Sequence, residues 1–275
     1  MSLTVKHISD FFEHWAPFST QAEYDNSGLL LGSHSQTVSG ILTCLDVTTD
    51  VVDEALKQNC NLIVAHHPLI FRKLSRINPD TPQGSLLYKL ISNNIAVLAV
   101  HTNLDAAQNG VSFVLADRIG IQNAEFLTEH DTDGTTGFGV YGSLDQSYPV
   151  NDFLNRVCKA LHTNAIRFSN DLDAKATIRT VAVCGGSGVS LAKAARSAGA
   201  DAYVTADIKY HEYFDCGMLL VDAGHYETEM PIIQHMRDKL AHAFENTPIR
   251  STTVITNPMQ VHVFNQLDQK QINPS

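Results

Sequence analysis

Residues 62–68 read LIVAHHP, four apolar residues followed by His66, His67 and Pro68. A short apolar run closed by a turn signal is the pattern of a strand buried on both faces, as in a parallel sheet covered by helices. Along a continuous strand, His66 and His67 would point to opposite faces. Pro68 cannot donate to a ladder, so regular pairing stops and the backbone is free to turn both imidazoles into one cleft.

The same pattern continues on either side. Ile41–Leu45 and Ile95–Val100 are further apolar runs, and Gly28–Gly32 (GLLLG) reads as a short buried strand after the polar loop Ser19–Asn26. A helix near Val5–Trp15 is ended by Pro17, and helices follow over Thr49–Gln58, Pro82–Ser92 and Gly110–Ile119. Thr49 or Asp50 can cap the first of these three, and Thr81 with Pro82 gives the second a cap and a first-turn proline. Glu129–Thr136 (EHDTDGTT) breaks the periodicity and is the candidate boundary between lobes.

A second series follows, with strand Phe138–Leu144, helix Pro149–Leu161 and strand Thr180–Cys184 with its glycine-rich turn. Helix Ser190–Ala198, strand Ala202–Thr205, helix Ile208–Phe214, strand Met218–Val221 and the long helix Thr228–Phe244 extend it, with Gln260–Phe264 as a returning strand. These alternations predict an α/β fold of two α/β lobes with largely parallel sheets. Residues 1–128 and 225–275 are assigned to the first lobe and 129–224 to the second, with His225 and Glu229 at the junction. The polar tail Gln266–Ser275 is expected to fray.

Composition sets the outer limits. The 275 residues are 44% hydrophobic and 17% charged, ordinary values for a globular chain. No apolar run approaches the roughly 20 residues that span a bilayer, and Met1–Asp10 lacks the basic and apolar segments of a secretory signal. A cytoplasmic protein with no membrane partner is therefore expected. The formal charge of −10 argues against general nucleic-acid binding. It leaves room for a small anionic ligand, because a bound metal reverses the local field. Cys44, Cys60, Cys158, Cys184 and Cys216 form no C-x-x-C pair and read as thiols in a reducing compartment.

Open α/β sheets bind ligands beyond the carboxyl ends of their strands. Here those ends carry Asp46, then His66 with His67, then His101 with Asp105, and finally Asp222 followed by His225 and Glu229. Imidazoles with carboxylates are the ligand set of zinc, manganese and iron. His225 and Glu229 share one face if a helix begins near His225, and a carboxylate there could bridge two ions. An H-x-x-x-E pair alone is weak evidence, but clusters at three strand ends together indicate a metal site.

Two further stretches are candidates for substrate contacts. In Cys184–Gly188 (CGGSG), the amides of Gly186, Ser187 and Gly188 could cradle a phosphate. The stretch lacks the G-K-[ST] of a P-loop, and a tight turn that needs glycine for steric reasons explains it better. Asp207 and His211, four apart, could line the same cleft, while helix capping also accounts for Asp207.

At His66–His67–Pro68, His101–Thr–Asn–Leu–Asp105 and His225–Tyr–Glu–Thr–Glu229 the chain resembles the NIF-three-like family, whose members are widely labelled GTP cyclohydrolase I type 2 homologues. The resemblance extends to Leu45–Asp46–Val47–Thr48, Cys184–Gly188 and Thr205–His211 and covers nearly the whole chain. It implies two α/β lobes with a dinuclear metal centre in the cleft between them, assembled as a toroidal homohexamer. It further implies one divalent ion on His66, Asp105 and Glu229 and a second on His67, His225 and Glu229. The long insertion that some relatives carry between the lobes is missing here, and Gln266–Ser275 is an extension.

Two divalent ions per protomer (zinc, iron or manganese), two ligand carboxylates and one bridging hydroxide leave such a centre positive by about one unit before other carboxylates are counted. That charge suits a small anionic or nucleotide-like substrate and metal-assisted hydrolysis. Either His101 or Asp46 would move protons from outside the ligand set, or both make ordinary strand-end hydrogen bonds. The family label suggests hydrolytic opening of the GTP purine ring. Metal-dependent phosphoester hydrolysis and a non-catalytic metal-binding hexameric scaffold or partner-binding protein remain as alternatives, because the same five ligands serve all three.

Overall fold

The computed structural model describes residues 2–129, 134–169, 176–214 and 216–262. In chain order the strands are β1 (Gly28–Leu31), β2 (Ile41–Cys44), β3 (Leu62–Ala65), β4 (Ala96–Ala99), β5 (Gln122–Glu129), β6 (Gly137–Pro149), β7 (Arg167–Phe168), β8 (Thr177–Val183), β9 (Ala202–Thr205), β10 (Leu219–Asp222) and β11 (Ile249–Ser251). They form two sheets, β1-β4-β3-β2-β11 and β5-β6-β8-β9-β10-β7.

In the first sheet β4, β3, β2 and β11 run parallel, and β1 lies antiparallel on the edge beside β4. Every residue of β2, β3 and β4 is buried, which is why these strands read as unbroken apolar runs. Their side chains alternate between two cores with the period of a strand. Ile41, Leu62, Val64, Ala96 and Leu98 pack with Val5, Ile8 and Phe12 of helix Val5–Trp15 and with Ile232, Met236 and Leu240 of helix Pro231–Ala243. Leu42, Cys44, Ile63, Ala65 and Val97 face the other way, onto Val51, Val52 and Ala55 of helix Thr49–Lys57 and Leu90 of helix Pro82–Ser92.

The second sheet is mixed. Only β8-β9-β10 are parallel, while β5 with β6, β6 with β8 and β10 with β7 pair antiparallel. The expectation of largely parallel sheets therefore describes the first sheet better than the second. β5 gives little sequence signal because most of it is half-buried or exposed, and β7 and β11 are too short to show a period. Helix Val111–Ile119 ties the two sheets together, with Val111 in the first core and Leu115, Ala116 and Ile119 in the second.

Other boundaries differ for local reasons. The expected helix over 208–214 is a 3-10 turn at Tyr210–Tyr213. The long helix over 228–244 is two helices, His225–Glu229 and Pro231–Ala243, because Pro231 lacks an N–H and starts a new helix at its first position. No strand forms over residues 260–262, and positions 263 and 264 lie outside the described residues. Part of the stretch 129–136 and the tail 266–275 also lie outside them. Among the described residues no helix is long and apolar enough to cross a membrane. Cys44, Cys60, Cys158 and Cys184 are free thiols.

Register places the chemistry. Cys44 pairs with Ala65 and Ala65 with Ala99, so Asp46, His67 and His101 each stand two residues beyond one aligned row. In the second sheet Thr205 pairs with Asp222, and Asp207 and His225 follow closely behind.

Candidate metal centre

His66 is fully buried, and its Nδ1 donates to the Val100 carbonyl at 2.9 Å. The lone pair of the neutral ring is thereby fixed on Nε2. That nitrogen lies 3.7 Å from Asp105 Oδ1 and 3.8 Å from Glu229 Oε1. Among the described residues, His66 Nε2 and Asp105 Oδ1 are buried polar atoms without a hydrogen-bond partner. Leaving such groups unpaired costs about 1–3 kcal/mol each. The separations are too long for hydrogen bonds. They are close to the roughly 3.4 Å that tetrahedral ligands keep when each sits about 2.1 Å from one ion. The three residues therefore fit a divalent cation better than they fit one another.

A second set meets the other oxygen of the same carboxylate. Glu229 Oε2 lies 2.9 Å from His67 Nε2 and 3.2 Å from His225 Nε2. The helix beginning at His225 puts His225 and Glu229 one turn apart on the same face. The donor atoms of His66, Asp105 and Glu229 lie within 4.8 Å of one another, as do those of His67, His225 and Glu229. A third group, His66, His67 and His101, meets the same limit.

Carboxylates hold the imidazoles from behind. His67 Nδ1 is 2.7 Å from Asp46 Oδ1, and the other Asp46 oxygen accepts from the Thr256 hydroxyl at 2.7 Å. His225 Nδ1 is 2.7 Å from Asp207 Oδ2, and His101 Nδ1 is 2.7 Å from Asp25 Oδ1. Such pairs fix ring orientation and raise the basicity of the far nitrogen. Asp207 adopts a left-handed φ of 57° in the turn after β9, which brings its carboxylate to His225.

The charges follow. Burial favours neutral Glu229, but its contacts with His225 and His67 and the nearby His66 ring outweigh it and hold the carboxyl well below its ordinary range. Burial raises Asp105. Burial disfavours a charged His67, yet Asp46 and Glu229 push it up to about 10. Glu229 and Asp207 push His225 up to about 9. The carboxylates thus draw positive charge to the imidazoles, and a divalent ion answers the same demand by displacing protons.

The substrate candidates fare unevenly. The Gly186 amide donates to the Thr228 hydroxyl at 3.0 Å and the Gly188 amide to the Thr205 hydroxyl at 2.9 Å, so neither is free to cradle a phosphate. Gly186 has a φ of +62°, and a Cβ there would fall 2.1 Å from Glu229 Oε1. Close approach to Glu229 is what requires glycine. Ser187 and Gly188 line a cavity of about 460 Å³ together with His101, Asp105, His225 and Glu229. His211 stands exposed outside that lining, its ring 5.2 Å from Tyr210. A 3-10 turn at Tyr210–Tyr213 does not give the helical alignment that would bring His211 over Asp207.

The pattern of the Duf34/NIF3 (NGG1p interacting factor 3) family matches residues 3–258. The chain belongs to the Duf34/NIF3 family. A relative from Clostridium acetobutylicum named GTP cyclohydrolase 1 type 2 homolog is 37% identical over 257 residues, covering 90% of this chain and 95% of that protein. The crystal structure of a hypothetical protein from Staphylococcus aureus superposes with a TM-score of 0.90 at 29% identity, covering 95% of this chain and all of that one. A Bacillus cereus protein related to NIF3 gives a TM-score of 0.89 at 26% identity, with the same coverage of 95% of this chain.

In this Duf34/NIF3 chain, sequence reasoning missed Asp25 and Thr256. Asp25 lies in the polar loop before β1, and its side chain is fully shielded against His101 and Thr102. Burial alone would raise its carboxyl, but the hydrogen bonds from His101 and Thr102 hold it well below the ordinary range. No local periodicity marks either residue, since their partners lie 76 and 210 positions away.

Proposed function

We propose that this chain holds two divalent ions, one on His66, Asp105 and Glu229 and the other on His67, His225 and Glu229, and that it is a metal-dependent hydrolase. The observation that carries the reading is Glu229, whose two oxygens face two separate donor sets, each with an imidazole aimed at it. Mixed nitrogen and oxygen donors suit zinc, manganese or iron. When bound, such ions supply Lewis acidity and bring the pKa of water toward neutrality.

The chain's own groups take the remaining roles. Asp46 and Asp207 orient His67 and His225 and serve as positioning residues, since Asp46 has both oxygens engaged. His101 lines the cleft, and its ring centroid lies 5.2 Å from that of His66 and 5.5 Å from that of His67. It is the group placed to take a proton from water and return it to a leaving group, with Asp25 holding its Nδ1. Carbon–nitrogen hydrolysis, the chemistry in the name of the Clostridium relative, and phosphoester hydrolysis both suit this arrangement. The toroidal homohexamer implied by family resemblance is part of the same proposal.

Elemental mass spectrometry of protein purified without chelator tests the centre, and a hydrolysis screen before and after metal removal tests the activity. About two equivalents per protomer and turnover that is lost on chelation and restored on reloading are expected. Folded protein that takes up no metal on add-back defeats the centre, and a loaded centre without metal-dependent turnover leaves a binding scaffold.

A further inference from the structure

Resting on the dinuclear reading, we infer that the cleft takes a planar heteroaromatic ligand with one metal-binding head and no polyphosphate. Three observations carry this beyond the ligand set. First, the lining of the cavity beside Glu229 contains no lysine or arginine among the described residues. Second, the glycine-rich loop beside it has already spent the amides of Gly186 and Gly188 on Thr228 and Thr205. Third, Asp25, Asp46 and Asp207 stand behind His101, His67 and His225 at 2.7 Å each.

Charge decides against a polyanion. Two divalent ions bring four positive charges, and Asp105, Glu229, Asp25, Asp46 and Asp207 bring five negative ones. The surplus of about two positive units left by the two ligand carboxylates alone becomes a deficit of about one once the three outer carboxylates are counted. A single anionic or lone-pair head can still bind to the ions directly. Among the described lining residues a triphosphate tail would find no lysine or arginine beyond the ions, and the amides of Gly186 and Gly188 are already engaged.

The walls suit a flat apolar body. Tyr24 lines the cavity while remaining 70% exposed, so its ring is available for stacking. Tyr24, Phe71 and His101 form an aromatic run with centroids 6.4 and 6.2 Å apart, leading from the rim to the ligand histidines. Phe138 and Leu191 line the same cavity, and the hydroxyls of Ser187 and Ser190 can meet ring heteroatoms.

Calorimetric titration of metal-reconstituted protein with guanosine, GTP and inorganic tripolyphosphate tests this, with metal content assayed on the same samples. Guanosine should bind, GTP should bind no more than about threefold tighter, and tripolyphosphate should not displace guanosine. Tyr24→Ala should weaken guanosine by about tenfold, and Tyr24→Phe should keep the affinity. No guanosine binding, a Tyr24→Ala variant with unchanged affinity, or GTP binding about tenfold tighter than guanosine overturns the inference. Tripolyphosphate winning at a fully loaded centre sinks the ligand class and leaves the metals standing. Tyr24-dependent guanosine binding to protein that takes up no metal sinks the dinuclear reading instead.

Discussion

His67 Nε2 and Glu229 Oε2 meet at 2.9 Å although 162 positions separate them in the chain. The first follows a strand of one sheet, and the second ends the short helix entered from the other. Only the correct mutual placement of the two sheets creates the contact, so the state of Glu229 reports on both halves of the centre.

Metal stoichiometry should therefore depend on which ligand is removed. Glu229→Ala takes an oxygen from both donor sets and is expected to lose both equivalents. Asp105→Ala removes a ligand from one set only and should keep about one of the two. Elemental analysis of the two variants beside wild type checks this, with circular dichroism to confirm folding. Equal loss in both variants would mean that the two sets do not bind separately.

Asp25→Asn should separate orientation from metal binding. The carboxylate accepts from the Thr102 amide at 3.0 Å, from the Thr102 hydroxyl and from the His101 ring, and it belongs to neither donor set. An amide in its place can turn only one acceptor oxygen to these groups. Stability should fall by about 1–3 kcal/mol, read by urea unfolding. Metal content should stay at the wild-type value, while any metal-dependent turnover falls by about 10–100-fold. Loss of metal in this variant would place His101 among the ligands.

The sequence displays the centre more openly than its supports. β2, β3 and β4 are buried on both faces, so each reads as an apolar run, and the polar residues that end them stand out. His66, His67, His101 and Asp105 were legible for that reason. His225 with Glu229 was legible only on the condition that a helix starts at His225, which it does. Asp25 was not, because its loop is fixed by Thr102 and His101 and carries no period of its own. The mixed second sheet escaped notice because β5 faces solvent along much of its length and β7 has two residues. His211 misled because spacing by four carries meaning only on an α-helix, and that segment is a 3-10 turn.

Gly186→Ala tests whether the glycine-rich loop serves sterics. The residue holds a φ of +62°, and an added Cβ would lie 2.1 Å from Glu229 Oε1 and 3.3 Å from His225 Cε1. The backbone conformation alone costs about 1–3 kcal/mol for a residue with a side chain. The clash must also displace the carboxylate that both donor sets share. Reduced stability together with reduced metal content is expected. A variant with normal metal content and stability would return the loop to ligand binding.

A pH dependence is expected at the far edge of the first sheet. Glu54 accepts from the hydroxyls of Thr252 and Thr253 and from the Thr253 amide at 3.0 Å, which ties the segment after β11 to helix Thr49–Lys57. Burial opposes the charge, but these hydrogen bonds prevail and lower the carboxyl below its ordinary value of 4.5. A carboxylate whose folded pKa lies below the unfolded one binds fewer protons when folded. Its contribution is complete above the unfolded value and disappears as pH falls through the folded one. Glu54→Gln should therefore lose stability near neutral pH and show a flatter decline than wild type between about pH 5 and pH 3. Urea unfolding across that range measures the difference between the two curves. Curves that stay parallel would show that ionised Glu54 is not what secures the segment, and neutral contacts of Thr252 and Val254 would then hold it.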